Sequence, residues 1–362
     1  MGQKNIGKST GSKRIAVVTD VSGTYLTQGD IALLLHPLVQ GVILFAHHFT
    51  CSAQLIALTR AIRAVKPHLI ISVDHEGGRV QRFRKDLFTH LPSLRFFAQL
   101  YAREPHTALR LVYQTGWLLA TELSEHGIDF SYTPVLDLDA GFNQVIGDRS
   151  FGAEPYLVTL LAQTMIHGIQ STGMKVVGKH FPGHGYVTED SHQTLPVDNR
   201  PLSQIKSKDL LPFKDIIKKG AMNAIMPAHI LYAAVDPLPA GFSRYWLQQV
   251  LRQQLGFSGL IFSDDLSMQA VAAIGTLERA TELALGAGVD ALLVCQNREY
   301  SLSVLKHLDQ LEVPPASLAP MLFRPIHHDH LAHSKTEIKK QLAYWQCRLG
   351  EPVHNGRKGQ TT

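Results

Sequence analysis

At 362 residues, with 45 % hydrophobic and 18 % charged residues, the chain has ordinary globular composition and length enough for one large α/β barrel or two ordinary domains. The net charge of +5 gathers at the ends, at Lys4, Lys8, Lys13, Arg14, Arg348, Arg357 and Lys358, which read as solvated tails and, without a basic helix carrying interleaved aromatics, argue against a nucleic-acid partner. Three widely spaced cysteines without a CxxC, an N-terminus with no apolar signal region and no apolar run of spanning length argue against a disulfide framework, a thiolate metal site, export and a membrane partner; the expectation is a cytoplasmic protein, taken as a monomer.

From the N-terminus, short apolar and β-branched runs fall at 15–21 (IAVVTDV), 42–46 (VILFA), 69–74 (LIISVD), 130–136 (FSYTPVL), 175–181 (KVVGKHF), 224–229 (AIMPAH), 260–264 (LIFSD) and 291–294 (ALLV). Between them, segments such as 52–65, 107–125, 155–171, 245–255 and 277–287 carry apolar residues at helical spacing, several of them bounded by Ser, Thr or Pro in front and Gly behind. The runs are continuous rather than alternating, as burial on both faces of a parallel sheet demands, and eight is the number a (β/α)8 TIM barrel requires. No GxGxxG follows the first run and no Walker sequence occurs, which removes the usual grounds for a nucleotide fold. No linker divides the chain, so the reading is a single α/β TIM-barrel domain over 14–345, with flexible tails at 1–13 and 346–362.

Polar residues collect where these runs end: Asp74 and Glu76 after the third, Asp137 after the fourth, Lys179 and His180 in the fifth, His229 after the sixth, Asp264 and Asp265 at the seventh. On a barrel that rim is where loops of different strands build an active site.

The segment KHFPGHGYVTEDSH, 179–192, holds three histidines. As metal ligands they are poorly spaced: Pro182 and Gly183 separate His180 from His184, so the two cannot share a helical face, and neither HxH nor HExxH is present. As proton-transfer groups they are better placed. Asp190 lies two residues before His192, close enough to accept one ring N–H and leave the other nitrogen to give and take a proton. At the seventh run, consecutive strand residues face opposite sides; Asp264 is assigned to the barrel mouth and Asp265 to a supporting or capping place. A carboxylate aimed at an anomeric carbon with a separate acid/base on a loop is the minimal apparatus of retaining glycoside hydrolysis, with histidine standing where a carboxylic acid is usual.

The segments ISVDHEGGRVQRF (71–83), DRSFG (148–152), GKHFPGHG with DSH (178–192), IMPAHI (225–230) and IFSDDLSM (261–268) together resemble the β-N-acetylhexosaminidases of glycoside hydrolase family 3, of the bacterial single-domain type that acts in peptidoglycan recycling. The resemblance implies that Asp264 is the nucleophile and His192 the acid/base, oriented by Asp190. It implies also that Asp74, Arg82, Arg149, Lys179 and His180 hold a non-reducing N-acetylglucosamine, with His184 shaping the glycine-rich turn. The implied partner is a small carbohydrate, a muropeptide sugar, and no cofactor or metal is implied. The stretch Gly185 to Asp190 is expected to let His192 swing into place on the sugar.

His75 stands where the family often has Gln, and the histidine-rich stretch 326–333 lies outside the motifs and reads as a solvated helix or loop. The chain is too short for the second sandwich domain of the larger members. The competing readings are a metal-dependent amidohydrolase on the same barrel and a non-catalytic sugar-binding barrel.

Overall fold

Every one of the eight apolar runs forms a strand in the computed structural model, which describes residues 13–139, 141, 143–188, 194–326 and 334–351. The strands are β1 (Ala16–Thr19), β2 (Val39–Leu44), β3 (Ile70–Val73), β4 (Phe130–Ser131), β5 (Val177–Phe181), β6 (Ala224–Pro227), β7 (Leu260–Asp265) and β8 (Ala291–Leu293). All their pairings are parallel, in the order β4-β3-β2-β1-β8-β7-β6-β5.

The ring closes through residues that follow β4. The run expected over 130–136 keeps only Phe130 and Ser131 in the ladder with β3, because Pro134 has no N–H to continue it. Beyond it, the Leu136 N–H donates to the Lys179 carbonyl at 2.7 Å and the Val177 N–H to the Thr133 carbonyl at 3.0 Å, and Val135 bridges Lys179. These contacts join β4 to β5 and complete the (β/α)8 barrel. Phe130, Tyr132 and Phe262, all fully buried, meet across the interior with ring centroids 5.2 to 5.8 Å apart. The barrel is therefore a packed core, open only at its rim.

The outer helices occupy the predicted segments, for example Ser52–Val65, Pro105–Glu125, Pro155–Gln170 and Leu277–Ala287. The last is capped as its sequence suggests: the Thr276 hydroxyl accepts the Arg279 N–H, and Gly288 ends it in the left-handed conformation. The boundary expected at 345 falls inside a helix, Lys335–Leu349, which runs four residues further. Ile338 and Leu342 bury its apolar face, and the Glu351 carboxylate beyond it accepts the Ser93 N–H and hydroxyl; that docking is why the chain stays ordered past 345. Residues 1–12 and 352–362 of the expected tails, and 327–333 of the histidine-rich stretch, lie outside the described residues. Among the described residues no helix is long and apolar enough to cross a membrane.

Pro105–Glu125 and Pro155–Gln170 touch backbone to backbone. A Cβ on Gly116 would strike the Met165 carbonyl oxygen, and one on Gly168 the Tyr113 carbonyl oxygen. Carbonyls in a helix cannot rotate away, so Gly116→Ala and Gly168→Ala should each destabilise by ~1–3 kcal/mol despite the better helix propensity of Ala. Because one shift of the helices relieves both clashes, urea unfolding of the double variant should show less than the summed loss.

Candidate active site

β3 ends at Val73, and a short antiparallel turn of chain, His75–Gly77 against Val80–Gln81, folds back over the barrel mouth. It brings Arg82 to 3.4 Å from Asp74, the residue that follows the strand. Both line a cavity of about 930 Å³ together with Arg149, Lys179, His180 and Asp264. Six of the eight residues singled out in the sequence thus share one site. The other two, Asp190 and His192, lie outside the described residues; Thr188 and Thr194, which flank that stretch, both line the same cavity.

Lys179 and His180 are consecutive in β5, where strict alternation would turn one of them away. The register between β5 and β6 shifts between Lys179 and Phe181, and such an irregularity re-aims a side chain. Both residues face the cavity.

Beneath the cavity floor lies a charge network. The Lys179 ammonium sits 2.7 Å from Asp74 and 2.7 Å from Glu76. Arg149 donates from Nε and Nη2 to the two oxygens of Glu76, each at 2.8 Å. The Glu76 side chain is 1 % exposed, whereas Asp74 keeps 21 % open to the cavity; Asp74 is therefore the carboxylate a ligand can reach, and Glu76 the one that holds the cations. Burial pushes both carboxyls up, but Lys179 and Arg82 beside Asp74 hold it well below the usual carboxylate range, and Arg149 and Lys179 hold Glu76 down at about 2. Lys179, whose burial alone would lower it, is raised by Asp74 and Glu76.

A second buried acid orders the histidines. Asp137 accepts His180 Nδ1–H at 2.6 Å and the backbone N–H groups of His180 at 3.1 Å and His184 at 2.7 Å. The carboxylate fixes the His180 tautomer with hydrogen on Nδ1 and turns Nε2 to the cavity. Burial raises the Asp137 carboxyl, yet the neighbouring His180 brings it below its ordinary value. His184 packs edge-on against His180 at 5.5 Å, and burial, with His180 adding to it, pushes the His184 imidazole down to about 4. The Asn143 amide donates to its carbonyl at 2.7 Å.

At the end of β7 both adjacent acids border the cavity, where strict alternation would place only Asp264, and the register between β7 and β8 shifts between Phe262 and Asp265. Asp264 lines the cavity and its Oδ1 accepts the Asp265 N–H at 2.9 Å. The Asp265 carboxylate is taken up by the wall: the Ser267 N–H and hydroxyl donate to it at 2.9 and 2.6 Å, and the Cys295 N–H and thiol at 3.2 and 3.0 Å. His229, a rim residue in the sequence, is buried, stacks on Phe242 and approaches the Asp265 carbonyl at 3.3 Å.

Glu76 and Asp137 carry more of this geometry than the sequence reading granted them. A signal existed for Glu76: two residues after Asp74 on an extended chain, it shares the face of Asp74. For Asp137 the signal was its place at the rim alone; its partners are set by the return of β5. Among the described residues, one His/Asp group is compact enough for a metal, Asp20 with His47 and His48. His48 is already engaged at both nitrogens, accepting the Phe45 N–H at 2.7 Å and contacting the Val21 carbonyl at 2.7 Å, which leaves two donors.

Residues 17–324 match the glycosyl hydrolase family 3 N-terminal domain. A β-hexosaminidase of Methylobacillus flagellatus is 50 % identical over 304 residues, 84 % of this chain and 86 % of the relative. One of Thiobacillus denitrificans is 49 % identical over 342 residues, 94 % of this chain and 92 % of the relative. Among solved structures, native NagZ from Neisseria gonorrhoeae superposes with a TM-score of 0.83 at 40 % identity, covering 92 % of this chain and 98 % of that one. A family 3 β-N-acetylglucosaminidase from Paenibacillus sp. gives 0.76 at 27 % identity, covering 96 % of this chain and 63 % of that one.

Because Glu76 is depressed from 4.5 to about 2 in the folded protein, its ion pairs contribute fully above pH 4.5 and are lost as pH falls toward 2. Glu76→Gln should destabilise by roughly 3–5 kcal/mol at pH 7, by leaving buried cations underpaired. Urea titrations of both proteins at descending pH should show the gap closing below pH 4.5; a constant gap would mean that the pairs do not stabilise the fold.

Proposed function

The chain belongs to glycosyl hydrolase family 3, and from that premise we propose that it is an exo-acting, retaining β-N-acetylglucosaminidase, which removes terminal N-acetylglucosamine from muropeptide fragments bearing 1,6-anhydro-N-acetylmuramic acid during cell-wall recycling. The observation that carries the reading is one cavity at the carboxyl ends of the strands that holds both a charge-saturated sugar cradle and the β7 carboxylate. The enzyme acts as a monomer in the cytoplasm, without metal or cofactor.

In the cradle, Asp74 and the unprotonated His180 Nε2 accept from sugar hydroxyls while Lys179 and Arg82 donate to their oxygens. Because hydroxyls both donate and accept, such a site rejects ligands that lack the matching group by leaving its buried partners unpaired. Arg149 spends three of its five N–H donors on Glu76 and the Val145 carbonyl; its first task is to hold the floor, with two donors left for a ligand.

Three carboxylates line the cavity among the described residues, Asp74, Asp264 and Asp265. Cations quench Asp74 as a nucleophile, and the donors of Ser267 and Cys295 quench Asp265. In this reading Asp264, at the end of β7 in the same cavity, makes the attack. Its oxygen bonds to the anomeric carbon as the glycosidic C–O bond breaks, and His192, oriented by Asp190, gives its proton to the departing oxygen. The imidazole then takes a proton from water, whose oxygen attacks the glycosyl ester, releases Asp264 and retains the β configuration.

The wild-type protein should hydrolyse a chromogenic N-acetyl-β-glucosaminide far faster than the matching β-glucoside, at a rate a chelator leaves unchanged. Asp264→Ala should lose nearly all turnover, and a fluorosugar should label the wild type at Asp264 but not the variant. Wild-type turnover by Asp264→Ala would sink direct attack, and activity abolished by the chelator would favour the amidohydrolase reading.

A further inference from the structure

Arg200 is a buried charge that the mechanism above does not use. It is 8 % exposed, lies outside the residues that line the cavity, and faces two carboxylates, Asp198 and Asp209, that are 2 % and 3 % exposed. The geometry points to Arg200 as a positioning residue for the acid/base histidine: its guanidinium joins the outgoing and returning stems of the segment that carries His192. The inference rests on the reading of His192 as the proton donor.

Both edges of the guanidinium are occupied. Nε and Nη2 donate to Asp198 at 2.7 to 3.1 Å, and Nη1 and Nη2 donate to Asp209 at 2.8 and 3.2 Å. The Tyr186 ring covers one face, 3.7 Å from the guanidinium carbon. A planar fork can serve two carboxylates and a ring at once; an ammonium cannot.

These contacts draw three segments into one block. Tyr186 belongs to the outgoing stem after β5. Asp198 belongs to the returning stem, where it pairs with Tyr232 in a short parallel ladder, and the Tyr232 hydroxyl donates back to the Gly183 carbonyl at 2.6 Å. Asp209 precedes the helix Leu210–Lys218 and packs against Gly183, where φ is +145° and an added Cβ would lie 2.8 Å from the Asp209 Cβ. Both stems reach the cavity, the outgoing one at Thr188 and the returning one at Thr194. Arg200 therefore ties together the stems that end at Thr188 and Thr194, and in sequence His192 is two residues from the second of them.

A group that acts through the proton donor matters only when the leaving group needs a proton. Comparison of kcat/KM, which reports glycosyl transfer to the enzyme, for 4-methoxyphenyl and 2,4-dinitrophenyl N-acetyl-β-glucosaminides tests this. His192→Ala is the reference and should lose about 10²–10⁴-fold on the first substrate and little on the second. Arg200→Lys should lose about 10- to 100-fold on the first and under about 3-fold on the second, and the double variant should be no worse than His192→Ala alone. Tyr186→Ala, at a half-exposed ring and safe for folding, should show the same selective loss on a smaller scale. Equal losses on both substrates, or no loss in either variant while His192→Ala behaves as expected, would overturn the role of Arg200. Equal losses in His192→Ala itself would overturn the assignment of the proton donor, and this proposal with it.

Discussion

The site is organised around one buried cation. Lys179 lies between Asp74 and Glu76, and Glu76 in turn holds Arg149 through both of its oxygens. Removing such charges from water costs several kcal/mol per ion, and mutual attraction offsets this only when every partner is in place. Here the partners come from three places in the chain: the hairpin after β3, the strand β5 and the turn Gly147–Arg149 after β4. The network thus ties the β3, β4 and β5 ends of the barrel into one arrangement. Its contribution is to geometry more than to net stability, since a well-packed apolar cluster could fill the same volume at lower desolvation cost.

That geometry divides the mouth into two halves. The side built by β3 to β5 is saturated with opposite charges and fixed hydrogen bonds, so its donors and acceptors need not reorganise when a ligand arrives. Asp137 extends this order by setting the tautomer of His180. Across the cavity, Asp264 stands on a strand end whose next residue, Asp265, is consumed by Ser267 and Cys295. The peptide N–H of Asp265 donates to Asp264, so the wall that immobilises the second acid also aims the first.

The connection after β5 belongs to neither half. Its stems are gathered by the Arg200 guanidinium, which pairs with Asp198 and Asp209 and is not among the residues that line the cavity.

Periodicity and composition were enough to mark all eight strands, because residues buried on both faces of a parallel sheet must be apolar without interruption. Recognition of the DHEGGRVQR, DRSFG, KHFPGHG and SDDLSM segments grouped Asp74, Arg82, Arg149, Lys179, His180 and Asp264 from the sequence, and all six line one cavity. What only the tertiary structure decided is who pairs with whom. Arg149 meets Glu76 across 73 positions and Asp137 meets His180 across 43, distances that closure of the barrel spans and no spacing rule encodes. The register shift that turns both Lys179 and His180 inward and the helix that continues past 345 belong to the same class. Local sequence sets the period of each element; long-range packing sets the partners of each charge, because a buried ion is stable only beside the opposite charge that folding brings to it.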